Sequence, residues 1–234
     1  MNYDSTVIIT SSLIPTHPNM TMLSSTYQSL KMLHGLQNGT PIFVTVDGLD
    51  PAKNENEENK KRLQEYVQNL RHAFRNNNRL KILTSFTFGH LTNSLKMAVD
   101  LVDTQYVYVV QHDFPFVKPV NHTAIVESMR ENPQLHIVRF NKRVNEKMVG
   151  PGCDVKIHSS GMDFVLNKWS DNNHFTTKKY YVDMLARLGP TPRAPESPMM
   201  YAQGSNCSLF GQYLYGDVGD GPYIKHLDGR NTEE

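Results

Sequence analysis

The chain has 234 residues, enough for one large domain or two small ones around a sizeable core. Its 24 Lys and Arg against 23 Asp and Glu give a formal net charge of +1, which leaves no basic face for nucleic-acid binding. No apolar run approaches the roughly 18 residues of a membrane span, and the start, MNYDSTVIITSSLIPTHP, lacks the charged region and apolar length of a signal peptide. The expectation is a soluble, cytoplasmic protein. Cys153 and Cys207 do not make a disulfide framework, and the sequons at Asn19, Asn38, Asn121 and Asn206 matter only in a secreted chain.

In chain order, TVIIT (6–10) reads as a strand, SSLIPTHPN as a loop, and Leu23, Tyr27, Leu30 and Leu33 as a helix ending at Gly35. PIFVTVDG (41–48) is a second strand, ending on an acid and a glycine. From Glu55 a charged stretch carries Leu63, Val67, Leu70 and Phe74 on one helical face, and its charges read as a solvated surface. LKILTS (80–85) is a third strand, followed by a helix marked by Leu91, Leu95, Ala98 and Val102. A fourth strand, YVYVVQ, begins at Tyr106. Strands and helices alternating in this way predict a Rossmann-like half with a mostly parallel central sheet.

The second half is less regular. LHIVRF (135–140) and GMDFVL (161–166) read as strands, KKYYVDMLARLG (178–189) as a helix closed by glycine, and PTPRAPESP (190–198) as a proline-punctuated connector. Two aromatic runs flank the Gly-Asp turn at 216–221 and predict a hairpin-like end.

The fourth strand is apolar on both faces and runs into Gln111, His112 and Asp113. Strands of that kind lie centrally in α/β sheets, and ligands bind outside their carboxyl ends. The three polar residues are therefore site candidates, although His112 and Asp113 also suit a turn.

The order VIITSSLIPTHP, VTVDGLDP, a hydrophobic strand ending QHD, WSDNNHF, APESPM and IKHLDG resembles a small GT-A-fold glycosyltransferase that uses a nucleotide-sugar donor. The resemblance spans nearly the whole chain and rests on order and spacing. It implies a single GT-A-like α/β domain, with residues 1–116 as the nucleotide-sugar half and 117–234 as a mixed α/β acceptor half. The implied reaction moves a sugar from a UDP- or GDP-linked donor, UDP preferred, to a glycan or other hydroxyl acceptor, with inversion and metal assistance.

By the same resemblance, Thr10, Ser11 and Ser12 hold the nucleoside and Asp47 the base or ribose. Asp113 matches the last acid of an Asp-x-Asp that holds Mn²⁺ or Mg²⁺ on the donor diphosphate, with Gln111 where the first acid would stand and His112 between. An amide oxygen can coordinate such a metal but brings no charge. His226 matches a C-terminal histidine ligand, and Lys96, Lys225 and Arg230 are cations that could neutralise phosphate. Inversion needs a carboxylate to take the acceptor's proton. Glu196 in APESPM is favoured for it, with Asp171 in WSDNNHF as rival and also good helix-capping chemistry. Trp169 suits either a sugar ring or the core. Two other classes fit the fold: a sugar nucleotidyltransferase, against which the glycine-free loop SSLIPTHP counts, and a non-catalytic nucleotide- or glycan-binding module.

Overall fold

A computed structural model describes residues 3–148, 153–189, 193–205 and 207–227. The first half contains β1 (Ser5–Ser11), α1 (Thr21–Ser29) with a 3-10 turn after it, β2 (Leu33–His34), β3 (Ile42–Val46), α2 (Glu57–Ala73), β4 (Leu80–Thr84), α3 (His90–Val99) and β5 (Tyr106–Gln111). The rest contains β6 (Val120–Asn121), α4 (His122–Glu131), β7 (Ile137–Arg139), β8 (Lys156–Ser159), β9 (Met162–Asn167), β10 (His174–Thr177), α5 (Lys178–Leu188), α6 (Glu196–Ser205), α7 (Cys207–Phe210) and β11 (Gln212–Tyr215).

The strands form one nine-stranded sheet in the order β4-β3-β1-β5-β10-β7-β11-β9-β8, and β2 and β6 pair separately. β4, β3, β1 and β5 run parallel, as the strand-helix alternation predicts. β10 enters antiparallel between β5 and β7. All residues of β1 and β3 are buried, which is why these segments read as continuous apolar runs. Their side chains alternate between two layers. Val7, Ile9, Val44, Tyr108 and Val110 pack on the side of Leu23, Tyr66, Leu70 and Ile125. Ile8, Phe43, Val107 and Val109 pack on the side of Leu95, Val99, Tyr181 and Leu185. Each fully buried side chain of this size contributes about 1.5–3 kcal/mol relative to exposure.

The helix ends follow local rules. Asn56 accepts from Asn59 N–H to cap α2, Glu57 and Glu58 occupy its first turn, and Arg71 and His72 its last. Thr177 caps α5, and Gly189 ends it at φ 72°. β8 and β9 join through Ser160 and Gly161, both at positive φ, as a two-residue I′ hairpin requires.

Three expectations are corrected. The chain end is no hairpin: β11 lies between β7 and β9, and Ile224 bridges Phe116 instead. The connector 190–198 already contains the first turn of α6. The two cysteines are joined as a Cys153–Cys207 disulfide, with Cα atoms 5.4 Å apart, and a separation of 54 residues gave no hint of it. Disulfides persist in oxidising compartments and are rare in the reducing cytoplasm. No described helix is long and apolar enough to cross a membrane.

Closing a loop of that length contributes about 4 kcal/mol in the chain-entropy picture. Reduction with dithiothreitol is expected to lower the thermal midpoint by about 10 °C, given the usual scaling for a chain of this size. Calorimetry with and without reductant measures it, and a Cys207→Ser variant should already melt at the lower temperature.

Candidate active site

The carboxyl ends of β1, β3 and β5 open into a cleft of about 420 Å³. Its floor follows from the sheet register. Thr45, Thr10 and Gln111 are neighbours across β3, β1 and β5, on the face where Phe43, Ile8 and Val109 are apolar two residues earlier. The same face thus turns polar where the strands end. Ser94 of α3 also lines the cleft, and its hydroxyl, like that of Thr45, is buried without a hydrogen-bond partner.

Thr10, Ser11, Ser12, Asp47, Gln111, His112 and Asp113 all line this cleft, so the strand-end residues singled out in the sequence do converge. Asp47 is buried, and its Oδ1 accepts from Gly48 N–H at 3.0 Å and Gly89 N–H at 2.9 Å. Burial raises its pKa, and the N–H groups of Gly89, Gly48 and His90 partly offset the rise. Asp47 therefore ties the end of β3 to the start of α3 as well as facing the cleft. Gly48 is required beside it, because a Cβ there would lie 2.5 Å from the Thr87 carbonyl carbon. On the rim, His90 holds φ 54° while its Nδ1 accepts from Leu91 N–H at 2.8 Å.

His112 is buried. Its Nδ1 lies 3.3 Å from the Thr10 carbonyl and so donates to it, leaving Nε2 as a buried acceptor without a partner. Burial lowers its pKa and keeps the ring neutral. Beneath it, His17 stacks on Tyr66 with centroids 3.7 Å apart, and burial pushes the His17 pKa down to about 3. Asp113 Oδ2 lies 3.2 Å from His226 Nε2, whose ring stacks on Phe114. The other oxygen, Oδ1, is buried and unpartnered. Gln111 donates its amide Nε2 to the Asp171 carbonyl at 2.6 Å, which pins the loop before β10 to the end of β5.

That loop brings Asp171 into the cleft. A strand follows it rather than a helix of its own, so Asp171 caps no helix there, and its Oδ1 is buried without a hydrogen-bond partner, close to Glu196 at the start of α6. Burial, and after it the nearby Glu196 charge, raise the Asp171 pKa to about 7. Glu196 does open α6, but the cleft is lined by Asp171 and Ala194 and not by Glu196. Behind them Arg139 is buried at the end of β7, its Nη2 donating to Asn167 Oδ1 at 3.1 Å. Burial lowers its pKa to about 10 while the Glu196 charge favours its ionised form.

The remaining candidates lie apart from the cleft lining or outside the described residues. Lys96 points away from the cleft and donates to the Gly189 carbonyl at 2.7 Å. Trp169 is 1% exposed in the α3–α5 layer, so it is a core residue and no sugar platform. Lys225 contributes a backbone N–H to the Pro115 carbonyl, and Arg230 lies outside the described residues. Sequence reasoning missed Arg139, whose one signal was a charge inside the apolar run LHIVRF, and Arg62, hidden within the charged face of α2.

Among the described residues lining the cleft, the carboxylates Asp47, Asp50, Asp113 and Asp171 stand against one lysine, Lys53, which is 3.6 Å from Asp50. No group of three or more potential metal ligands occurs among the described residues.

No family model matches the sequence, and no curated protein does. Solved structures match the fold. Staphylococcus aureus TarS 1–349 in complex with UDP superposes with a TM-score of 0.53 at 12% identity, over 96% of this chain and 60% of that one. The mannosyltransferase PcManGT from Pyrobaculum calidifontis, in complex with GDP-Man and Mn²⁺, gives 0.51 at 10% identity, over 93% and 55%. A cytidylyltransferase from Leptospira borgpetersenii gives 0.53 at 14%, over 97% and 82%. The fold is GT-A-like. The chain spans 36% to 60% of the TarS chains it matches. In this GT-A-like frame the cleft lies at the sheet's carboxyl edge, where open α/β sheets bind ligands.

Proposed function

We propose that the protein is a glycosyltransferase that moves a sugar from a nucleoside diphosphate to a hydroxyl acceptor with inversion. The observation that carries this reading is the meeting of Asp113 and Asp171 in one cleft, the first beside His226 and the second raised towards neutrality. Support comes from neighbours of the same fold bound to UDP-GlcNAc and GDP-Man.

The nucleoside lies along Ser11, Ser12 and Asp47, with the neutral His112 offering an acceptor at Nε2. The residues fit a divalent ion: Asp113 has a buried oxygen without a partner, and His226 presents an imidazole beside it. Two protein ligands suffice for Mn²⁺ or Mg²⁺ when diphosphate oxygens and water complete the shell. Such an ion supplies charge stabilisation of the leaving diphosphate. Its need follows from the cleft's acidic lining, which repels an unaccompanied diphosphate.

In the transfer step the acceptor oxygen bonds to the anomeric carbon while the bond from that carbon to the diphosphate oxygen breaks. The electron pair leaves with the nucleoside diphosphate, and the acceptor proton passes to Asp171. A carboxyl of pKa near 7 suits that proton transfer at neutral pH. Although the sequence favours Glu196 as base, Asp171 and not Glu196 lines the cleft, which supports Asp171 in that role with Glu196 modulating its charge.

Incubation with UDP- and GDP-sugars and Mn²⁺ should release nucleoside diphosphate slowly by donor hydrolysis, UDP-sugars ahead of GDP-sugars. A second reading, a sugar nucleotidyltransferase, draws on the 82% coverage of the cytidylyltransferase against about 60% of TarS. It would show as pyrophosphate release from CTP and a free sugar, with no hydrolysis of nucleotide sugars. Inertness in both assays, with nucleotide still bound, would leave a binding module.

A further inference from the structure

We propose that Arg62 is a positioning residue that moulds the nucleoside-binding loop after β1 from outside the cleft. The inference rests on the proposed nucleotide cleft. Asn59, Arg62, Tyr66 and Asn69 recur at helical spacing and form one face of α2. Each reaches the loop or its anchor.

The Arg62 guanidinium donates to three carbonyls of the loop backbone. Nε and Nη2 reach the His17 carbonyl at 3.1 and 2.8 Å, and Nη2 also reaches the carbonyls of Pro15 at 2.6 Å and Ile14 at 3.1 Å. Nη1 donates to Asn59 Oδ1 at 3.0 Å, which fixes the plane of the fork. Asn69 reaches the Pro18 carbonyl at 3.3 Å, and Tyr66 stacks on His17 while its hydroxyl lies 3.0 Å from Ser11 Oγ. Ser12, Leu13 and Ile14 of this loop line the cleft, whereas Arg62 lines only the adjoining hollow. Arg62 therefore acts through the loop.

Inside the loop, His17 N–H donates to the Ile14 carbonyl and Asn19 N–H to the Thr16 carbonyl, and α2 supplies the rest of its support. The loop contains two prolines and no glycine, and its backbone carbonyls face α2 rather than a strand ladder. A planar fork with several donors can satisfy three carbonyls at once. Lysine offers the same charge at a single point and cannot. Loss of the fork leaves the loop sampling other conformations, and apparent affinity falls with the fraction of chains in the competent one.

The experiment compares full-length wild type, Arg62→Lys and Arg62→Met. The readouts are the Kd of uridine diphosphate with Mn²⁺, KM and kcat for the donor, and amide hydrogen exchange over residues 12–18. Arg62→Lys should weaken uridine diphosphate and raise KM by about 10- to 100-fold, as a loop competent a few per cent of the time implies. Its kcat at saturating donor should stay near wild type, and exchange should quicken in the loop alone. Should Arg62→Met fail to fold, the lysine variant carries the test. Wild-type affinity and exchange in Arg62→Lys would overturn the proposal, because charge without the fork would then suffice. If wild type binds no nucleotide, the glycosyltransferase reading fails and loop exchange alone decides the role of Arg62.

Discussion

Asp171→Asn is expected to bind donor normally and lose about 10²–10⁴ of its transfer rate, the usual worth of a general base. The amide keeps the shape and can still face α6, so the loss isolates the proton transfer. Glu196→Gln should cost far less and shift the pH profile instead. In wild type the carboxylate must be ionised to act, so kcat/KM should rise tenfold per pH unit and level off above about 7. With the Glu196 charge removed, that midpoint should fall. Stability should move the other way. A carboxyl whose folded pKa exceeds its unfolded 3.8 favours the fold fully below that value and loses the contribution as pH rises through about 7. Asp171→Asn should therefore lack this decline, and melting curves at pH 4 and pH 8 measure the difference. Full transfer activity in Asp171→Asn would return the role to Glu196. A product that retains the donor configuration would remove the need for either.

The second large effect is expected at Asp113. With Mn²⁺ present, Asp113→Ala should bind uridine diphosphate no better than wild type does in EDTA. Losing even an outer partner of a metal typically costs about 10–100-fold in affinity, and a direct ligand costs more. Without this ligand the metal no longer links protein and diphosphate, so the variant's residual binding should not respond to chelation. His226→Ala should give a smaller loss, since its ring is half exposed and stacked on Phe114. Titration calorimetry with and without EDTA reads both. If wild-type affinity is indifferent to EDTA, the diphosphate is held without a metal and cations such as Lys53 must offset the acidic lining.

The legible parts of the molecule are those whose cause is local. β1, β3 and β5 announce themselves as apolar runs because both faces are covered, and polar residues at their ends mark the cleft. What crosses long stretches of chain was not legible. The insertion of β10 between β5 and β7 depends on pairing with distant strands, and it is this insertion that delivers Asp171 beside Gln111. Sequence alone preferred Glu196 by its place in APESPM, because which acid lines a cavity is not a local signal. The Cys153–Cys207 pairing and the role of Arg62 were hidden for the same reason: a charge on an amphipathic helix looks solvated until the loop it holds is known.

The hydrogen-bonded ladder between β5 and β10 crosses the boundary at residue 116 between the two suggested halves. Enzymes built as separate lobes admit substrate by swinging about a hinge. Here a swing would tear a central strand pair, so the scaffold stays rigid through turnover and traffic falls to the loops. On the proposed function, the exit of product then depends on how firmly two tethers hold: Arg62 on the loop after β1 and Asp47 across to α3. Loosening one should speed release while dulling selectivity, which gives this protein a throttle made of side chains rather than of moving domains.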